Sequence, residues 1–296
     1  MEFLISFLNG LGVGGVYAMI ALGYTMVYGI AKMLNFAHGD IIMVGGYTVV
    51  LFFMMNADPK KIWLFLALAI IMAVIFCMIL GILVEKLAYK PLRGSSPLAV
   101  LITAIGVSYL LQSVALMFTK GTTKMLPLSL GAITSGSFYV RWSTIITIIC
   151  TIIVMVSLTL FVKKTKTGRA MVAVSEDKGA ARLMGINANN IIMITFAIGS
   201  ALAALAAVCY LFATPSVTST MGAIPGIKAF TAAVIGGIGS IPGAMLGGIL
   251  LGLVESFSLA IPAISAYTEA IEFSLLIIIL LVKPTGILGK KRREKV

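Results

Sequence analysis

Residues 62–84 read IWLFLALAIIMAVIFCMILGILV, without an Asp, Glu, Lys or Arg. An α-helix rises 1.5 Å per residue, so this stretch is about 35 Å long, enough to cross a hydrocarbon core of about 30 Å. It is one of seven charge-free blocks. The others are 3–31, 41–57, 94–119, 142–162, 183–227 and 229–254. Hydrophobic residues make up 60% of the chain and charged residues 11%. A soluble domain carries about 25% charged residues, so the solvent that suits this composition is the lipid bilayer. The expected fold is an all-α, polytopic membrane bundle forming one transmembrane domain over 1–296. The first block has Glu2 rather than a basic leader before it, and its apolar run exceeds an h-region of roughly 7–15 residues. It is expected to be a retained helix.

The charges between the blocks set a topology. Of 22 Lys and Arg residues, 16 fall in segments 31–40, 85–96, 163–190 and 283–296. Cytoplasmic loops are enriched in these residues. This rule places the four segments inside, the N-terminus outside, and the tail Lys290-Lys291-Arg292-Arg293 inside. Helices are expected near 4–30, 41–55, 62–84, 97–118, 143–162, 191–212, 224–238, 244–261 and 268–282. Treating 224–238 as a short crossing gives the odd count this topology requires; broken or re-entrant pieces widen the range to eight to ten. The net charge of +12 is thus a topological signal and not a nucleic-acid footprint.

Two regions read as broken helices. One is Asn35-Phe36-Ala37-His38-Gly39-Asp40. The other runs from Pro215 to Gly243 and holds Pro215, Pro225, Pro242 and many glycines. Irregular backbone at membrane depth is tolerated only inside protein or beside a wet cavity, and transporters place polar work there. Small residues recur at Gly10 and Gly14, Gly243 and Gly247, and Gly248 and Gly252, a spacing that lets helices approach closely within one chain or between subunits.

Enzyme chemistry has little support. The chain has one histidine, no metal-ligand spacing and no phosphate-binding loop, so no cofactor is expected on it. Cys77, Cys150 and Cys209 lie in apolar blocks and read as packing residues. If ATP drives this protein, another subunit must bind it. Within 163–190, Ser175 is expected to cap a short helix with Glu176 and Asp177 in its first turn, running to Met184 and stopping at Gly185. Such a helix suits docking in a partner's groove; the segment suits a solvated, topology-setting loop equally well.

Gly179-Ala180-Ala181 followed by Gly185 resembles the EAA-x-x-x-G loop of bacterial ABC import permeases, with Gly179 in place of the Glu and no Leu-Pro after it. Asn35–Asp40 resembles an N-F-A-H-G-E/D stretch. Lys228-Ala229-Phe230-Thr231-Ala232-Ala233-Val234-Ile235-Gly236-Gly237-Ile238-Gly239-Ser240-Ile241-Pro242-Gly243-Ala244 resembles K-A-F-x-A-A-V-x-G-G-x-G-S-x-P-G-A, and Pro284–Gly289 a closing P-x-G-x-x-G. Together these are similar to LivH-type permeases of branched-chain amino acid importers. The resemblance implies a multi-pass protein of the bacterial inner membrane, paired with a LivM-type second permease. Two ATPase subunits carrying ATP and Mg, and an extracytoplasmic protein delivering leucine, isoleucine or valine, complete the implied system. It also implies that 175–185 couples to the ATPase.

Single residues keep two readings. His38 and Asp40 lie at the pathway or a gate, or they satisfy freed backbone groups, with Asp40 as an N-cap. Asn35 shares that break. Glu255, inside an apolar block, is functional by default or sits at an interface. Tyr24, Thr25 and Gln112 are candidate pathway-lining groups. Gly236, Gly237 and Gly239, with Pro242 and Gly243, suit a tight turn and close packing. The alternatives are a secondary transporter driven by an ion gradient, a structural or receptor-like membrane subunit, and an ABC permease for urea, amides or other amino acids.

Overall fold

In the computed structural model, residues 2–56, 59–128, 130–135 and 138–289 are described. The basic run Lys290–Arg293 lies outside them. Among the described residues, eight helices are long and apolar enough to cross a membrane: the chain is a multi-pass membrane protein. They are α1 (Glu2–Ala31), α2 (His38–Asn56), α3 (Ile62–Val84, continued by a π-turn, Glu85–Tyr89), α4 (Pro97–Thr119), α5 (Trp142–Lys164), α8 (Ala188–Ala213), α10 (Ile241–Ala260) and α11 (Thr268–Val282, with a preceding turn). Helices α6 (Lys166–Glu176) and α7 (Lys178–Leu183) fill the long basic segment, and α9 (Ala223–Gly236) is short.

Two antiparallel ladders, which the hydropathy pattern does not announce, complete the fold. β1 (Lys124–Met125) pairs with β4 (Ser216–Val217), and β2 (Ala132–Ser135) pairs with β3 (Phe138–Arg141). The β1–β4 ladder ties the loop before α5 to the loop after α8, and β2–β3 is a local hairpin within the loop before α5.

The core is built on α1. Its pairing with α10 is the most extensive helix contact in the molecule. Gly10 and Gly14 face Gly248, Gly252 and Leu253, while Gly243 and Gly247 receive the end of α9. The small-residue spacings thus serve packing within the chain, because without side chains the two backbones come within van der Waals reach. Helix α8 forms the second wall. Ala203, Ala204, Ala206 and Ala207 are fully buried there, and Gly45 of α2 and Gly81 of α3 pack against it. By contrast, α3, α4, α5 and α11 turn large apolar side chains outward, among them Phe76, Leu110, Ile153 and Leu281. In a membrane chain such faces meet lipid or another subunit.

The two expected breaks are present. α1 ends at Ala31, but α2 starts at His38, whose ring lies against Gly23. Gly23 is two turns before the end of α1, so the chain re-enters the bundle and α2 begins about 12 Å deep. Helix α9 is about 21 Å long at 1.5 Å per residue, too short for the whole hydrocarbon layer. Its N-terminus meets the start of α2 backbone to backbone: a Cβ on Gly226 would sit 3.1 Å from Gly39 Cα. The starts of a spanning helix, α2, and of the short helix α9 therefore converge inside the bundle. The turn after α9 uses Gly237 (φ 105°) and Gly239 (φ 96°), Ser240 capping the Gly243 amide at 3.2 Å, and Pro242 in the first turn of α10. Residues 284–289 strap this turn, with Ile287 and Leu288 amides donating to Ile235 and Gly236 carbonyls at 2.8 and 2.9 Å.

The loop expected over 85–96 is partly helix. Tyr89 is buried against Phe196, with ring centroids 5.2 Å apart, and Glu85 is buried and paired with Arg93. Burial of the tyrosine ring and of this ion pair carries the helix past its last apolar residue.

Candidate functional site

The polar residues singled out from the sequence separate into distinct places. Tyr24 and His38 stack edge to face at 4.7 Å, and Tyr24 meets Phe230 at 5.8 Å. His38 is buried, and its Nε2 has no hydrogen-bond partner. Asn35 turns toward α3 and accepts the Tyr89 hydroxyl at 2.9 Å. Asp40 does not cap its helix: its Oδ1 accepts from Gln112 Nε2 of α4 at 2.9 Å. The helix starts at His38, so Asp40 is already within the first turn and its side chain is free to bridge outward. Thr25 lies on another face of α1, beside Met171 and Ser175. Tyr24, His38 and the Asn35 backbone turn share one neighbourhood.

Glu255 belongs elsewhere, and its setting is the most polar in the bundle. Lys228 of α9 lies 3.0 Å from Glu255 Oε1 of α10 and 3.1 Å from Glu272 Oε2 of α11. Glu272 and Lys228 are buried, at 0% and 6% exposure. The Lys228 ammonium also stands 5.8 Å from the Tyr17 ring centroid. Isolated charges are costly at low dielectric, and mutual pairing is what lets these three residues occupy the interior. Lys228 falls within the helix expected over 224–238 and Glu272 within that expected over 268–282, and neither is among the candidate residues read from the sequence. The signal that marks them is an ionisable side chain inside an apolar helix, which needs a partner from another helix.

Lys228, Glu255 and Tyr17 reach one wall of a cavity of about 680 Å³. Its other walls include Asn9 of α1, Arg141 of β3, Thr144 and Thr147 of α5, and Thr214 and Thr218 beyond α8. This cavity opens at the end of the bundle that holds both β ladders. A second cavity of about 410 Å³ lies at the opposite end, where Lys32, Arg93 and Lys178 line it together with Tyr28 and Leu34.

At that opposite end the long basic segment forms two helices instead of one. Thr165 caps α6, accepting from the Gly168 amide at 2.9 Å. Ser175 lies inside α6 and donates to Val172 O. Asp177 is the cap of α7, accepting from the amides of Gly179 at 2.7 Å and Ala180 at 3.0 Å. Aspartate between two helical runs ends one and starts the next, because its carboxylate satisfies the orphan amides of the second. The C-terminus of α7 is a Schellman turn. Gly185, at φ 80°, donates to Arg182 O and Ile186 donates to Ala181 O, both at 3.0 Å. Glu176 ends α6, Ala181 is buried, and Leu183 and Met184 stand 90% and 81% exposed. Lys178 Nζ donates to Ala31 O at 3.1 Å, tying α7 to the end of α1. Burial and the nearby Arg93 and Arg182 push its ammonium below the ordinary lysine value.

Among the described residues no cluster of His, Cys, Asp or Glu could hold a metal ion, and all three cysteines are free.

A membrane bundle with a short helix starting in its interior against the start of α2, and with a charge-walled cavity, fits a solute permease. The chain belongs to the family described as branched-chain amino acid transport system / permease component, whose model matches residues 6–280. It is 43% identical over 305 residues to the high-affinity branched-chain amino acid transport system permease protein BraD of Pseudomonas aeruginosa, covering 100% of this chain and 98% of BraD. It is 41% identical over 310 residues to the corresponding protein LivH of Escherichia coli K12, with coverage of 100% and 98%. The ribose import permease protein RbsC of Haemophilus influenzae is 26% identical over 294 residues, with coverage of 96% and 86%.

Proposed function

We propose that this protein is one permease subunit of an ATP-driven importer of leucine, isoleucine and valine in the bacterial inner membrane. The observation that carries the reading is the identity to BraD, 43% along the whole chain. No phosphate-binding loop exists in the sequence, so ATP and Mg belong to two partner ATPase subunits. A LivM-type second permease completes the pathway against the outward apolar faces, and an extracytoplasmic binding protein delivers the amino acid.

In this reading the end with the β ladders and the 680 Å³ cavity faces outward, and α6–α7 faces the cytoplasm. The positive-inside distribution supports it. Helix α7 is the coupling element. Its exposed Leu183 and Met184 tip suits an apolar groove on an ATPase, and Glu176, Asp177, Gly179, Ala180, Ala181 and Gly185 hold that tip in shape. The Lys178 contact passes its displacement to α1, next to the α2 break. Tyr24, Thr25, Asn35, His38, Asp40, Gln112 and Glu255 serve the pathway or its gates from their separate positions. The turn at Gly236, Gly237, Gly239, Pro242 and Gly243 acts as a structural pivot between α9 and α10.

The test is leucine uptake by the reconstituted complex carrying Leu183→Asp with Met184→Asp. Both side chains are exposed, so folding and membrane insertion persist while leucine-stimulated ATP hydrolysis and uptake are lost together. Normal uptake in this variant rules out α7 as the coupling element. Uptake driven by an ion gradient, without the ATPases, overturns the reading itself in favour of a secondary transporter.

A further inference from the structure

In the buried cluster beside the ladder-side cavity one ammonium, Lys228, faces two carboxylates, Glu255 at 3.0 Å and Glu272 at 3.1 Å; Arg141, the other cation on the cavity wall, donates instead to Ala213 O at 3.2 Å. Glu272 is completely buried behind the lysine, while Glu255 reaches the cavity wall. Glu255 offers one oxygen to Lys228; its other oxygen, Oε2, is inaccessible and has no hydrogen-bond partner. A buried carboxylate oxygen without a donor is a costly arrangement. It is relieved by a donor that arrives with a positive charge. The volume of about 680 Å³ lies within the roughly 300–1,000 Å³ of small-molecule sites. Hydroxyls of Thr144, Thr147 and Thr218 and the guanidinium of Arg141, all on its walls, suit the carboxylate half of a zwitterion.

We infer that this cavity is a transient binding site for a primary ammonium group, that of the amino acid in transit, and that Glu255 is its acceptor. Lys228 is the resident cation that keeps the two carboxylates together when the site is empty. An arriving ammonium meets the Glu255 side chain, 16% exposed at the cavity wall, and rotation of the carboxylate turns its unpartnered Oε2 toward it; the cluster then holds two positive and two negative charges. The three charged residues sit on α9, α10 and α11, so charge neutralisation changes what binds the short helix to its neighbours. The cargo part of this inference rests on the proposed function; the preference for an ammonium group does not.

The test uses the complete importer in nanodiscs without binding protein. A cysteine reporter, Thr214→Cys, is placed on the cavity wall in a background with the native cysteines replaced, and its alkylation by a soluble maleimide is followed. The probes are leucine, 3-methylbutylamine, which lacks the carboxylate, and 4-methylpentanoate, which lacks the ammonium. Leucine and the amine protect the reporter, and the acid does not. Glu255→Gln leaves Lys228 and Glu272 as a balanced pair, so the fold is retained, and it lowers protection by the amine at least about tenfold, the scale of one charge-assisted hydrogen bond. Glu272→Gln also breaks a salt bridge to Lys228, but it keeps the preference for amine over acid. Equal protection by amine and acid, or an unchanged preference in Glu255→Gln, overturns the inference. A similar loss of preference in both variants assigns Glu255 a merely structural role and overturns it as well. An importer that shows the amine preference yet takes up no leucine refutes the proposed cargo and leaves the ammonium site standing.

Discussion

Gly14→Ala tests the packing on which the bundle rests. A Cβ placed on Gly14 would lie 2.8 Å from Ile249 Cα, 2.9 Å from Gly248 O and 3.0 Å from Ile249 O. All three neighbours are backbone atoms, so no rotamer change relieves them. Carbon–carbon contact is favourable from about 3.5 Å, so α1 and α10 must separate by roughly half an ångström. Overpacking of this kind costs about 1–3 kcal/mol, and the loss falls on the longest helix pairing in the molecule. Gly10→Ala is milder: its nearest neighbour is the flexible Leu253 side chain at 2.9 Å, and the backbone atoms behind it stand slightly farther off than those facing Gly14, Leu253 Cα at 3.0 Å and Gly252 O at 3.2 Å. Gly106→Ala on α4 is the control: nothing lies within 4 Å, and the helix gains from replacing glycine. Thermal unfolding of the purified protein in one detergent, read by intrinsic fluorescence, gives the ranking. Gly14→Ala is least stable, Gly10→Ala intermediate, and Gly106→Ala at or above the parent. A Gly14→Ala protein as stable as the parent refutes the close backbone approach of α1 and α10.

Other expectations are local. Asp177→Ala removes the acceptor of two α7 amides and weakens that short helix by about 1 kcal/mol, seen as faster amide exchange at Gly179 and Ala180 with little change elsewhere. Tyr89→Phe removes the donor to Asn35 and lowers stability by about 1 kcal/mol; a variant indistinguishable from the parent shows that the α2 break is held by other means. Lys178 has its folded-state value below the ordinary lysine value. Between the two values the unfolded chain binds more protons, so stability rises with pH in that alkaline window. Lys178→Met removes that slope, which parallel unfolding curves measured from neutral pH upward will show.

The class of the protein, its helical segments and the positions of its breaks were legible in the linear chain. Hydropathy belongs to each segment alone, and the bilayer reads each segment nearly independently of the others. Stretch 62–84 needs no neighbour to declare itself a spanning helix, and Asn35–Asp40 and Pro215–Gly243 declare themselves as interruptions by composition. The stop at Gly185 was equally local. The start of that helix was not: the sequence favours Ser175 as the cap, whereas the structure uses Asp177, because both residues are good caps and only the packed backbone selects between them.

Who faces whom was decided only by the tertiary structure. Asp40 suited an N-cap by residue type, yet it reaches Gln112, which is remote in sequence. Lys228, Glu255 and Glu272 each look anomalous alone and become intelligible only as partners on three helices. The 12 Å depth of His38 follows from the return of the chain against Gly23, which no local pattern contains. Local free energies choose helix or turn within a few residues. Contacts between distant helices depend on how small faces interlock and how buried charges find counter-charges, and those are properties of the assembled bundle.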